Sequence, residues 1–134
     1  MSVRWGIAGP GRIAATVAAE FALVPDAELV AVGSRSAERA EAFARQFGIA
    51  QAYGSYDELF AADVDAIYLA TPHAQHTGLA LAGIAAGKAV LIEKSFTTSV
   101  ADTAAIIDAA RARGVFLMEA MWTRFLPAVT QLRE

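Results

Sequence analysis

Cysteine is absent from the 134-residue chain. That excludes a disulfide framework, thiolate catalysis and a zinc–cysteine site. It is compatible with a reducing cytoplasm, the location expected here. Charge is scarce too: 19% of residues are charged and the formal net charge is −3. Such a balance exerts no global pull on nucleic acid or an anionic membrane, and neither is expected as a partner. No apolar run reaches the ~18 residues a membrane span needs. The opening MSVRWGIAG lacks the apolar core of a signal peptide. What is abundant is hydrophobic residues, at 56%. Part of this is alanine, and part reads as surface to be covered by something outside this chain. The length fits one domain, able to bury roughly two thirds of its unfolded surface without staples.

Apolar strand-like runs alternate with helical segments along the whole chain. Strands are expected at 3–8, 28–32, 50–53, 64–70, 89–92 and 115–119. Helices are expected at 13–24, stopped by Pro25, and from the Ser36 cap to Phe47, with Gly48 following. A short helix follows the capping-box spacing of Ser55 and Glu58. Further helices are expected at 75–86, at 99–113 before Gly114, and from Arg124 onward with Pro127 in the first turn. Apolar strands separated by helices imply an α/β fold, a doubly wound parallel sheet covered on both faces. Residues 1–121 form that domain, and 122–134 begin a connection to something further.

Gly9-Pro10-Gly11-Arg12-Ile13-Ala14 follows the first strand and opens the first helix. Gly9 permits the tight turn, Gly11 lets the backbone approach a pyrophosphate, and Ala14 lets helix pack on strand. Pro10 has no N–H, so phosphate contacts fall to Gly11, Arg12 and Ile13 at the positive helix end. This is a dinucleotide-binding turn. An NAD site would place an acid about 20 residues on, for the ribose 2′-hydroxyl. Here that position holds Ser34, followed by Arg35, with Arg39 one helical turn later. A hydroxyl and two guanidiniums suit a 2′-phosphate, which points to NADP rather than NAD. The missing acid also weighs against an S-adenosylmethionine methyltransferase.

Ligands of such sheets lie outside the carboxyl ends of the strands. Three of those ends carry chemistry: Thr71-Pro72-His73 with His76, Glu93-Lys94, and Glu119 through Trp122 to Arg124. The apolar run 89–92 therefore ends in two charges because it emerges into the cofactor crevice. His73 and His76 have the spacing of a metal pair, but no third ligand stands out near them, and no metal is expected.

With these pieces the chain resembles the cofactor-binding domain of the glucose–fructose oxidoreductase / inositol dehydrogenase / MocA family. The resemblance rests on Gly9–Ala14, Thr71-Pro72 with His76, the Ala86-Gly87-Lys88 turn and Glu93-Lys94, and it covers essentially the whole chain. The ending Met118-Glu119-Ala120-Met121-Trp122-Thr123-Arg124 and the run His73-Ala74-Gln75-His76 look like the dihydrodiol dehydrogenase branch. Ser34-Arg35 is similar to its NADP-preferring members. The resemblance implies that Lys94 is the catalytic group beside the nicotinamide and the reacting oxygen. An ammonium there would orient a hydroxyl or carbonyl and stabilise alkoxide charge. Glu93 would orient the loop or contact ribose; His76 would line the rim or cap its helix. Trp122 and Arg124 would flank nicotinamide or substrate, with interdomain packing the other role open to Trp122. Where the family pattern has proline after the lysine, this chain has Ser95, which restores an N–H. Family enzymes continue into a second α/β domain that supplies the substrate pocket, the subunit interface and a general acid/base. The expectation is thus the NADP-binding part of an oxidoreductase acting on a CH–OH group of a sugar, polyol or dihydrodiol. Such a part would have little turnover alone and a tendency to self-associate. The alternative is a stand-alone dinucleotide-binding module, a redox sensor or scaffold.

Overall fold

The computed structural model describes residues 2–134. Six parallel strands form one sheet: β1 (Val3–Ala8), β2 (Ala27–Gly33), β3 (Gln51–Tyr53), β4 (Ala66–Leu69), β5 (Ala89–Glu93) and β6 (Leu117–Ala120). Their spatial order is β3-β2-β1-β4-β5-β6. Between them run α1 (Arg12–Glu20), α2 (Ala37–Phe47), α3 (Tyr56–Ala61), α4 (His76–Ala85) and α5 (Val100–Arg113); α6 (Pro127–Arg133) follows β6. This is the doubly wound order, and it reverses direction between β1 and β4, where a crevice must open above the strand ends.

The two faces of the sheet divide the core in two, with strict alternation interrupted in β2, where the register shifts opposite Trp5 and Gly6 and Val30 and Val32 fall on different sides. Val30, Ile67, Leu69, Val90 and Ile92 pack against Leu59, Ile84 and Ile106 of α3, α4 and α5. On the other face Ile7, Val32 and Tyr68 meet Ala14 and Ala18 of α1 and Phe43 of α2. Ala14 is fully buried, so α1 sits flush on the sheet. Gly48 and Gly114 end α2 and α5 in the left-handed conformation, which glycine adopts without a Cβ penalty.

The sheet is not covered on both faces throughout, contrary to expectation. In β5, Val90 and Ile92 are buried while Ala89, Leu91 and Glu93 are only half-buried, and all four residues of β6 are half-buried. The core on the α1 and α2 side draws Leu91 and Ala120 only to its margin. An apolar cavity of about 250 Å³ opens there, between Trp5, Val17, Phe21, Tyr68 and Leu91. α6 packs mainly on the short 3₁₀ turn Trp122–Phe125 that precedes it. Several boundaries also differ: β4 starts at Ala66 and α6 at Pro127, both later than expected. α1 stops at Glu20 and tightens into a 3₁₀ turn, Phe21–Leu23, where the Phe21 ring meets Trp5 edge-on at 5.9 Å. β6 starts at Leu117 because the Val115 amide closes the end of α5 by donating to Ala110 O. Among the described residues no helix is long and apolar enough to cross a membrane.

Candidate cofactor site

The strand ends at the β1–β4 reversal enclose a cavity of about 580 Å³, within the usual range for ligand sites. Four connections build its wall: Gly9 to Gly11 after β1, Ser34 to Ser36 with Arg39 after β2, Tyr56 after β3, and Thr71, Pro72 and Gln75 after β4. Gly9 has φ +94°, and a Cβ there would lie 2.9 Å from Thr71 Cγ2 and 3.2 Å from the Ala70 carbonyl. The turn therefore needs glycine for conformation and for space.

α1 begins at this turn with no side-chain cap and no acid in its first turn. The Gly11 amide is turned inward, donating to Gly9 O at 2.9 Å. The Ala15 amide donates to Gly11 O, and the amides of Arg12 and Ile13 have no partner among the described residues. Free amides at a positive helix end suit an anion. Thr71 supplies an independent sign of a ligand. It is 6% exposed, and its Oγ1 is buried without a partner among the described residues. A native protein rarely leaves such an atom unmatched unless something else completes it. A dinucleotide fits this wall: amides for the pyrophosphate, a spare hydroxyl beside it, and two guanidiniums at the far end.

At that far end Ser34 is buried and its Oγ accepts from the Ser36 amide at 3.2 Å. Ser36 in turn caps α2, accepting from the Arg39 amide. The cap points α2 so that Arg35 and Arg39, both exposed, face one cavity. No carboxylate lines it.

Lys94, His73, His76 and Glu93 lie outside that cavity's wall and form a second group over the ends of β4 and β5. His73 Nε2 lies 2.9 Å from Lys94 O and 3.3 Å from the Ser95 amide, the N–H that the serine restores. His76 is fully buried. Its Nε2 lies 2.9 Å from Thr71 O, and its Nδ1 lies 2.9 Å from Ser95 O and 3.2 Å from Phe96 O. Both imidazole nitrogens thus face backbone carbonyls. Among the described residues no three His, Asp or Glu side chains gather as a metal site. Glu93 Oε1 accepts from the Tyr68 hydroxyl at 2.8 Å and its Oε2 from the Lys94 amide at 3.1 Å. Burial above all, and then this bond to a charged acceptor, push the Tyr68 phenol well above its ordinary pKa. Glu119 Oε1 accepts from the Phe96 amide at 2.9 Å. Exposed Lys94 therefore rides on a backbone contacted by His73 of the turn His73–Gln75, His76 of α4 and Glu119 of β6. Trp122 and Arg124 lie on the 3₁₀ turn beyond β6, both exposed, away from either group's contacts.

Sequence reasoning missed Tyr56, Ser36 and Gln75 in the cavity wall, and Tyr68 and Glu119 as supports. Tyr56 had a signal, since it follows the capping serine after a strand and so sits on the same rim. Tyr68 had none: it lies inside an apolar strand, and its partner is 25 residues away.

Fold, glycine turn and crevice together define a dinucleotide-binding α/β domain. Residues 3–121 match the model described as oxidoreductase family, NAD-binding Rossmann fold, so the chain belongs to the glucose–fructose oxidoreductase / inositol dehydrogenase / MocA family. It is 46% identical to trans-1,2-dihydrobenzene-1,2-diol dehydrogenase of Mus musculus, over 100% of this chain and 41% of that protein. It is 39% identical to D-xylose 1-dehydrogenase (NADP(+)) of Hypocrea jecorina, over 99% of this chain and 37% of that one. Among solved structures, KijD10, a 3-ketoreductase from Actinomadura kijaniata in complex with NADP, superposes with a TM-score of 0.93 at 31% identity. That match covers 98% of this chain and 42% of the other. The chain thus spans about two fifths of the length of these relatives.

Proposed function

We propose that this chain binds NADP(H) and forms the cofactor-binding part of an oxidoreductase acting on a CH–OH group of a sugar, polyol or dihydrodiol. The observation that carries the cofactor choice is the cavity wall beyond β2, where Ser34, Arg35 and Arg39 stand and no carboxylate does. The similar proteins named for NADP, the xylose dehydrogenase and KijD10, support it, and the dihydrodiol and xylose dehydrogenases support the substrate class.

Bound nicotinamide would supply hydride exchange. The chain's own contribution is to hold the pyrophosphate at the Arg12 and Ile13 amides, give the Thr71 hydroxyl a partner, and present Lys94. The Lys94 ammonium is the catalytic group of this reading: it donates a hydrogen bond to the substrate oxygen and stabilises alkoxide charge. His73, His76, Glu93 and Glu119 keep its backbone in place. Glu93 is a support in this reading, and Trp122 and Arg124 serve substrate or interdomain contacts. The half-open face of β5 and β6 gives self-association a surface. A cytoplasmic site of action accords with the absence of cysteine.

The test pairs binding with turnover. With NADP⁺ and either a dihydrodiol or D-xylose, the 134-residue chain is expected to bind cofactor yet turn over more slowly than about 0.01 s⁻¹, against about 10 s⁻¹ for ordinary enzymes. A rate near the ordinary value contradicts the reading that the substrate-side chemistry lies outside this chain.

A further inference from the structure

Tyr56 is the first residue of α3, and its position is fixed from two sides. Ser55 caps the helix by accepting from the Glu58 amide at 3.2 Å, while Glu58 Oε2 accepts from the Ser55 amide at 3.1 Å. The Tyr56 ring is half-buried against the core beneath α3 and α4, beside Leu79. Its remaining surface lines the large cavity with Ser34, Arg35, Ser36 and Arg39. It also lines an adjoining cleft with Arg35 and Gln75. Tyr53 and Tyr68 spend their hydroxyls on Gln51 and Glu93; the Tyr56 hydroxyl has no such partner among the described residues.

We propose that Tyr56 determines cofactor specificity, its hydroxyl donating a hydrogen bond to the 2′-phosphate between Arg35 and Arg39. This rests on the NADP reading above and adds to it a neutral, rigid donor. Arg35 and Arg39 stand on exposed, flexible stems, and ordering them costs side-chain entropy. A ring already packed on the core loses little on binding, so its bond is realised almost in full. Burial, the larger influence, raises the phenol's pKa, while the two guanidiniums lower it. A phenol is protonated at neutral pH in any case, and the net rise acts in the same sense, so the hydroxyl is able to donate.

Isothermal titration of the chain with adenosine 2′,5′-bisphosphate and with adenosine 5′-monophosphate tests this, using wild type, Tyr56→Phe and Arg35→Ala. Phenylalanine keeps the ring and its packing. Tyr56→Phe is expected to weaken the bisphosphate by roughly 5- to 20-fold, the loss of one hydrogen bond to a charged group, and to leave the monophosphate within about twofold. A loss shared equally by the two ligands, or none, overturns the proposal. If Arg35→Ala weakens the bisphosphate selectively while Tyr56→Phe does not, only the role of Tyr56 fails. If wild type shows no preference for the bisphosphate, or binds neither ligand, the 2′-phosphate reading fails and takes this proposal with it.

Discussion

Thr71 carries a buried hydroxyl with no hydrogen-bond partner among the described residues, a condition that costs a folded protein about 1–3 kcal/mol. Removing that hydroxyl while keeping the shape therefore separates stability from binding. Thr71→Val is expected to leave the cofactor-free chain as stable as before, or up to about 1 kcal/mol more stable, and to weaken NADPH binding about 3- to 10-fold. Urea melts and a binding titration on the same preparation check both halves. Lower stability with unchanged binding would mean that the hydroxyl serves the fold. At this scale the sequence was most informative where backbone geometry constrains residue type. Gly9 could be read because only glycine fits a turn pressed against Thr71 and Ala70. Tyr68 could not be read, because a hydroxyl's partner across a sheet leaves no mark on its own strand.

His76 shows how elements depend on one another. It starts α4, yet its nitrogens reach the carbonyl of Thr71 after β4 and those of Ser95 and Phe96 after β5. The two strand ends that frame the crevice are thereby fixed to each other. His76→Leu, similar in bulk, would leave the buried carbonyl served by the ring N–H, that of Thr71 or that of Ser95, without its donor. It is expected to cost about 1–3 kcal/mol and to speed amide exchange at Phe96 more than at Ile7. A loss under about 0.5 kcal/mol with uniform exchange would show that the brace carries no weight. The elements themselves were legible from apolar periodicity, cap residues and glycine stops, as α2 shows with Ser36 before it and Gly48 after it. Their edges were less so. α1 gives way early to a 3₁₀ turn where Phe21 meets Trp5, a tertiary contact, and β6 starts late because the Val115 amide closes α5, a local cap.

Across the whole molecule the alternation of strand and helix was enough to read the doubly wound sheet, because parallel strands need crossovers that cover them. It was not enough to tell which half of a face stays open. Leu91 and Met118 look as apolar as Ile92 in sequence, yet both are only half-buried, so the sheet's two halves differ in a way that composition does not record. Function separates in the same manner. The residues proposed to bind a dinucleotide sit on local turns that the sequence shows directly; the side chains around the Lys94 backbone, His73, His76 and Glu119, are brought together only by folding.

The central claim is that Arg35 and its neighbours make this an NADP site, and one titration addresses it most directly. NADPH and NADH are each followed by fluorescence against wild type and Arg35→Ala. The account predicts that wild type prefers NADPH and that Arg35→Ala weakens NADPH about 10-fold or more, the scale of a lost charge-assisted bond to phosphate, while NADH binding changes little. Equal binding of the two coenzymes, indifferent to Arg35, would contradict it.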